Sequence, residues 1–296
     1  MKFGVCVPNY GDSMSVDGVR SIAIEAEKLG YDSIWTTDHL LMPKNSGTPY
    51  EKIVDSITTL AFLAPQTSRV KLGISSLVLG MRNPVVVAKQ LASLDAFTGG
   101  RILLAMSVGW NEKEFSHVGS DFRTRGKRLD EGIRLIRSLW RGETEFHSKI
   151  LPQNFESVVF EPRPTSEKLT IWIGGASEAA MKRAVSIGDA WHPNVYPMEI
   201  FTDLVSHFRQ LSPEAKNKDI CIRIGLNTKT TSTEYLGPNG EKRIQFSGNM
   251  SQNRKLVKEL DDLGVSDAVL VPSPDGKVPT PDQIQSIRSF ATEFLI

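Results

Sequence analysis

Eight times along this chain a short, β-rich apolar run gives way to a longer amphipathic one, and that alternation limits what the chain can fold into. A strand, a helix and a second strand of the same sheet in succession form a crossover unit, so the strands lie parallel. Strand-type runs fall at residues 3–8, 33–37, 70–79, 101–108, 170–173, 189–192, 220–229 and 268–272. Helix-type runs fall at 16–29, 55–64, 84–97, 125–140, 178–187, 198–211, 252–263 and 281–294. The run at 70–79 is apolar almost throughout, as a strand buried on both faces requires. Gly30 stands where a helix end favours left-handed backbone, and Pro84 where a first-turn proline opens a helix.

Two stretches break the rhythm. Residues 142–168 hold three prolines and alternating segments such as FESVVFEP, which predict an irregular excursion with a short strand or hairpin. Residues 230–249 carry the tripeptide PNG between β-type residues and predict an inserted hairpin. The expected architecture is an α/β protein, a closed (β/α)₈ barrel of the TIM type. It spans 1–296 as a single domain, with inserted segments after the fourth helix and the seventh strand. Such barrels commonly run to ~250 residues as one unit. An open, doubly wound sheet is the competing arrangement, but there is no GxGxxG turn after the first strand, where a dinucleotide-binding sheet wants one.

Hydrophobic residues make up 40% of the chain, enough for a large core, and 35 Lys+Arg balance 34 Asp+Glu. Scattered, balanced charge does not supply the clustered positive field that a nucleic acid or an anionic membrane demands. No apolar run approaches a membrane span, and the N-terminal MKFGVCVPNYGDS is too short in apolar residues for a signal peptide. Cys6 and Cys221 each lie inside an apolar strand-like run without CxxC spacing, and so read as small core residues rather than a disulfide framework or a metal site. The five histidines are dispersed, with no HxH pair after the first strand. The expectation is a cytoplasmic protein acting on a small molecule without a metal.

Barrel chemistry sits where the strands end, because the βα loops converge on one face. The second strand ends in Thr36-Thr37-Asp38-His39. An adjacent Asp and His there can orient and protonate a reacting group, or serve as a loop carboxylate and a hydrogen-bonded imidazole. The fifth runs through Gly174, Gly175, Ala176 and Ser177 straight into a helix. Glycines admit a ligand close to the backbone, the helix start offers free N–H groups, and Ser177 either bonds a phosphate oxygen or caps the helix. Ser75 and Ser76, in a buried strand, mark a bulge or a ligand wall. Gly109 and Trp110 end the fourth strand, with Asn111, Glu112 and Glu114 following, and Trp110 either walls a planar ring or caps the core. Arg123, Arg125, Lys127 and Arg128 crowd a helix start, where positive charge opposes the dipole, so at least one of the arginines reads as held for a ligand or an acidic partner and most of the cluster as a solvated face. Trp191-His192-Pro193 reads as a core cap with a proline stop.

The order of these signals is more telling than any one of them. GYDSIWTTDHL at 30–40, RNPVVVAKQLASLDAFTGGRILLAMSVGW at 82–110, RGKRLDEGIRLIRSLW at 125–140 and IWIGGASEAAMKRAVSIGDAWHP at 171–193 resemble the luciferase-like flavin monooxygenase superfamily, and within it the oxidoreductases that use coenzyme F420. The resemblance implies a cofactor phosphate on Gly174, Gly175, Ala176 and Ser177, and Asp38 and His39 beside the reactive part of the ring. It also implies a non-proline cis peptide at Ser75-Ser76 behind that ring, with Gly109 and Trp110 close by. The reaction implied is hydride transfer between F420 and a small organic substrate, with His39 as proton donor or acceptor. With FMN in its place the same scaffold would be a monooxygenase, and a non-catalytic flavin-binding protein is the reading of another class. The F420 tail would favour a basic groove leading from Ser177, for which Lys182, Arg183 and Arg125 are at hand. Some sugar-phosphate dehydrogenases of this branch carry a Glu just after strand four where this chain has Trp110, which argues against a carbohydrate substrate. The family resemblance also implies a homodimer packed through the helices after strands two and three. The second of these carries Val85, Val86, Val87, Leu91, Leu94 and Phe97.

Overall fold

Strands form where the β-rich runs lie: β1 (Lys2–Cys6), β2 (Ser33–Thr36), β3 (Lys71–Val78), β4 (Ile102–Ser107), β5 (Ile171–Gly174), β6 (Ala190–His192), β7 (Asp219–Leu226), β8 (Glu234–Leu236), β9 (Lys242–Phe246) and β10 (Val265–Val271). The helices are α1 (Val16–Lys28), α2 (Ser56–Leu63), α3 (Pro84–Thr98), α4 (Glu112–His117), α5 (Arg125–Arg141), α6 (Glu178–Ser186), α7 (Met198–Gln210), α8 (Met250–Asp262) and α9 (Thr280–Phe294). The structure is a computed structural model and describes residues 1–165 and 169–295. β1 to β7 pair in sequence order, and β10 pairs in parallel with both β7 and β1. Those last two pairings close the eight-stranded parallel barrel.

The barrel has two apolar regions. Outward-facing residues such as Ile220, Ile222 and Ile224 of β7 pack under the helices, while Cys6, Trp35, Ala105, Trp172 and Cys221 fill the lumen. Trp35 and Trp172 lie 4.8 Å apart between ring centres. Gly73 makes room for them, since a Cβ there would come within 2.2 Å of the Trp35 ring. This aromatic plug separates the open space at the mouth of the barrel from a smaller cavity at the opposite end, lined by Lys2, Asp32, Lys71, Trp172 and Asp267.

Both inserted segments are present. Thr233 to Phe246 contains the antiparallel β8–β9 hairpin, and β9 pairs in parallel with the last two residues of β7, Gly225 and Leu226. The described part of the excursion, 142–165, holds one antiparallel bridge, Phe146 to Phe155; residues 166–168 lie outside the described residues. The sequence pattern does not anticipate α4, a six-residue helix whose start is capped by Asn111 accepting from the Glu114 N–H. On α3, Val87, Leu91 and Leu94 are buried while Val86 and Phe97 stand 50% and 87% exposed.

Candidate active site

A cavity of about 410 Å³ sits over the ends of β2, β3, β4 and β7, lined among others by His39, Ser75, Ser76, Trp110 and Arg223. Among the residues lining it, His39 is the one imidazole. Its Nδ1 lies 2.8 Å from Glu114 Oε2, and its ring stacks on Tyr50 at 4.5 Å and meets Trp110 edge-on at 5.8 Å. Burial alone would raise the Glu114 carboxyl, but the bonds from His39 and from the Leu40 N–H more than offset it and hold the group below its ordinary range. Glu114 is therefore an acceptor only, so His39 carries its proton on Nδ1. Nε2 has no partner among the described residues, and is left as the atom able to take up or release a proton.

Asp38 is arranged differently. One of its carboxylate oxygens accepts from Ser56 Oγ at 2.7 Å and from Arg82 Nη2 at 2.5 Å; the other accepts from the Val78 N–H at 2.9 Å. Its side chain is fully buried, and Arg82 reaches on to Asp55, which caps α2. Sequence position suggested chemistry for Asp38. Its contacts make it the clasp between the ends of β2, β3 and the start of α2.

Ser75 and Ser76 are joined by a cis peptide, as the resemblance implied, and the β3–β4 register shifts between Ile74 and Leu77. Ser75 Oγ lies 2.7 Å from His192 Nε2, and His192 Nδ1 lies 2.6 Å from the Cys221 carbonyl. A carbonyl only accepts, so Nδ1 bears the proton, Nε2 accepts from the Ser75 hydroxyl, and His192 is neutral. Burial pushes its imidazole down to about 3; the Cys221 carbonyl opposes the shift and Arg223 adds to it.

An unfolded histidine binds a proton below about pH 6.5 whereas His192 in the fold does not, so the unfolded state gains protons that the native state refuses. Stability contributed by this group is present above about pH 6.5 and falls by about 1.4 kcal/mol per unit as the pH drops from there toward 3. Urea unfolding at pH 7 and pH 5.5 should show wild type losing about 1.4 kcal/mol more than His192→Asn, which cannot take up a proton. Equal losses would remove His192 from the account.

At the end of β5, Gly174, Gly175, Ala176 and Ser177 turn into α6 beside this cavity. A Cβ on Gly174 would fall 2.7 Å from Ser76 Oγ and 3.2 Å from the Ser107 Cβ, so the turn lies close against the cavity wall. Gly175 has φ +119°, a backbone that side chains rarely adopt. Ser177 is exposed and caps α6 through the Ala180 N–H. The turn thus presents an uncovered helix start beside a glycine cradle, a fit for a phosphate.

The expected basic groove fares less well. Lys182 pairs with Glu178 and Arg183 with Asp130, which neutralises both. Arg125 stacks over the Phe122 ring at 3.7 Å and donates to the Phe122 carbonyl; its Nε is buried without a partner. Of the three cations, only Arg125 remains unpaired by a carboxylate among the described residues.

Two groups at the mouth went unread in the sequence. Glu114 was visible only as one of two acids following Trp110, with no role, and its bond to His39 spans 75 residues. Arg223 sits inside the strand ICIRIGL, where isoleucines alternate with Cys221, Arg223 and Gly225. That period of two places the arginine on the lumen face with Cys221, a signal available to a closer reading.

A profile described as luciferase-like monooxygenase matches residues 1–235. The chain is 27% identical over 205 residues to an F420-dependent glucose-6-phosphate dehydrogenase of Amycolatopsis mediterranei, covering 67% of this chain and 60% of that protein. It is 27% identical over 243 residues to an FMNH(2)-dependent dimethylsulfone monooxygenase of Pseudomonas putida, covering 77% and 64%. Among solved structures, an F420-dependent secondary alcohol dehydrogenase in complex with an F420–acetone adduct superposes with a TM-score of 0.79 over 97% of both chains. At 15% identity that likeness speaks to the barrel alone.

Proposed function

Because the chain belongs to the luciferase-like monooxygenase family, we propose that it is an F420-dependent oxidoreductase acting on a small organic substrate, with His39 moving the proton that accompanies the electrons. F420 or FMN, when bound, supplies a two-electron centre on a tricyclic ring. Gly174, Gly175, Ala176 and Ser177 would receive the phosphate on the start of α6; Ser75, Ser76, Gly109 and Trp110 would wall the ring. The observation that carries the reading is His39 on the cavity wall, bonded from behind by the buried Glu114. Glu114 fixes the tautomer that leaves Nε2 free, and its carboxylate stabilises the imidazolium formed when Nε2 gains a proton.

The choice of F420 rests on resemblance: the TTDH and GWxxxE stretches look closest to the deazaflavin branch, and their His39 and Glu114 bond to each other. The FMN-dependent monooxygenase is the second reading, favoured by the pairing of Lys182 and Arg183, which leaves little free positive charge for an anionic tail. Titrating the protein with F420 and with FMN at moderate salt separates the two. Tighter binding of F420 is expected; clearly tighter FMN binding, with oxygen consumed on reduction, would make this a monooxygenase.

Gly175→Val tests the phosphate assignment in the same titration. Valine is disfavoured at φ +119°, and its Cβ would crowd Ala180 at 3.1 Å. Cofactor affinity should fall at least about tenfold as the turn rearranges while the barrel stays folded, because the residue lies at a helix start outside the core. Unchanged affinity would move the phosphate elsewhere.

A further inference from the structure

A second cavity, of about 520 Å³, opens beside the first over the ends of β1, β7 and β10, roofed by the β8–β9 hairpin and the loop around Tyr50. Tyr50, Pro238, Arg223 and Arg243 line both spaces. Its depth is aromatic and cationic. Tyr10 and Tyr50 meet edge-on at 5.1 Å, and Tyr235 lies on the hairpin beside Arg243.

Arg223 is the unusual group. Nη1 donates to the Ser75 carbonyl at 2.6 Å and Nη2 to Thr37 Oγ1 at 2.9 Å, with Cys6 Sγ at 3.3 Å from Nη1. Among the described residues no carboxylate lies within ion-pair distance of it, and its Nε–H has no acceptor. Its charged neighbours in principle, Cys6, Tyr10 and Tyr235, are all held neutral, since burial pushes each of them up. Arg243 pairs with Glu241 and donates to Asn194 Oδ1 at 3.2 Å, but its Nε is buried without a partner. The remaining carboxylates around this space, Asp12, Glu51 and Asp275, are exposed at the rim. Arg223 is half-buried with its guanidinium facing both cavities, so a cation without a counterion is presented to a space where the missing charge has room to arrive from outside.

We propose that this second cavity is the substrate site, and that it takes an aromatic or similarly flat small molecule bearing one oxyanion group, seated on Arg223 and Arg243. The tyrosine rings supply the flat wall and the two guanidinium groups supply donors in the planar arrangement that carboxylate, sulfonate and phosphate oxygens accept. Because Tyr50 stacks on His39, a molecule held here lies one aromatic ring away from the proton-transfer pair. Calling it a substrate rests on the redox reading above; that an anion binds there does not.

The probes are benzoate, benzenesulfonate and phenyl phosphate against neutral benzamide, titrated calorimetrically into the intact protein at moderate salt. At least one anion should bind about tenfold to a hundredfold more tightly than benzamide, the range expected of hydrogen bonds to charged groups. Arg243→Met, on the hairpin, should bring the preferred anion and benzamide within about threefold of each other. Arg223→Met should do the same, and if it fails to fold the Arg243 variant and the wild-type comparison still decide. All four probes binding wild type alike would overturn the proposal, and so would a preference that survives in Arg243→Met. F420 and FMN are titrated separately into the same samples: intact cofactor binding without anion preference sinks this inference alone, whereas anion preference without cofactor binding sinks the redox reading instead.

Discussion

His39→Ala should lower turnover by about 10²–10⁴-fold while the protein melts within a few degrees of wild type, the loss expected when a positioned proton donor is removed. His39 is 6% exposed and its removal forfeits one ring stack on Tyr50, but the barrel core beneath is untouched. Glu114→Gln is the informative companion. It keeps the shape and a hydrogen bond to Nδ1 but no longer demands the Nδ1–H tautomer, and it withdraws the charge that stabilises imidazolium. A positioning residue of this kind should lower kcat while leaving KM little changed, because Glu114 acts on the reaction only through the imidazole it orients. Rates are followed by the cofactor absorbance with a substrate found by screening. Activity that survives in His39→Ala while the melting temperature collapses would make the pair structural and leave the reaction without a proton carrier.

Asp38→Ala should do the opposite, unfolding the protein sooner while the molecules that remain folded still turn over. Asp38 and Arg82 are a buried pair, with side chains 0% and 13% exposed. Deleting one member of such a pair leaves a desolvated charge and typically costs about 3–5 kcal/mol. Asp55 still faces Arg82 at 2.8 Å, so the lower end, about 3 kcal/mol, applies here. The Val78 N–H and the Ser56 hydroxyl lose their acceptor as well. For a chain of this size the midpoint should drop by roughly 6–12 °C in calorimetry. An unmoved melting temperature accompanied by lost turnover would return Asp38 to the chemistry. Asp38 and His39 are neighbours in sequence, and these two experiments are expected to separate them into a clasp and a proton carrier.

Elements were legible in the sequence where their determinants are local. The strand and helix runs, the caps at Gly30 and Pro84 and the PNG hairpin depend on residues within a turn or two of each other. α4 depends on an Asn111 cap over six mostly polar residues, EKEFSH, and reads as loop unless the cap is noticed. The two-residue turn-glycine pattern at Gly174 and Gly175 and the paired serines of β3 were also visible, because backbone demands leave their mark on the residue type. Partnerships were not. Nothing in TTDH announces that Arg82, forty-four positions on, neutralises Asp38, or that Glu114 holds the imidazole of His39. Lys182 and Arg183 looked free for the same reason, their acid partners Glu178 and Asp130 being supplied by helix spacing and by the packing of α6 on α5.

Among the described residues the β8–β9 hairpin pairs with the barrel strands at two positions at the tip of β7, Gly225 with Gln245 and Leu226 with Phe246, and is tied to the loop after β6 by the Ile244 N–H donating to the Val195 carbonyl and by Arg243 donating to Asn194. None of the eight pairings that close the barrel passes through β8. Lengthening, shortening or exchanging the segment between these strands would therefore leave the barrel's own bonds intact while replacing Tyr235, Pro238 and the outer face of the second cavity. On the proposed reading the hairpin supplies one wall of the substrate site while His39 and Arg223 stay with the barrel, so a laboratory graft of another hairpin onto β7 should change which small molecules bind while His39 and Glu114 keep their places.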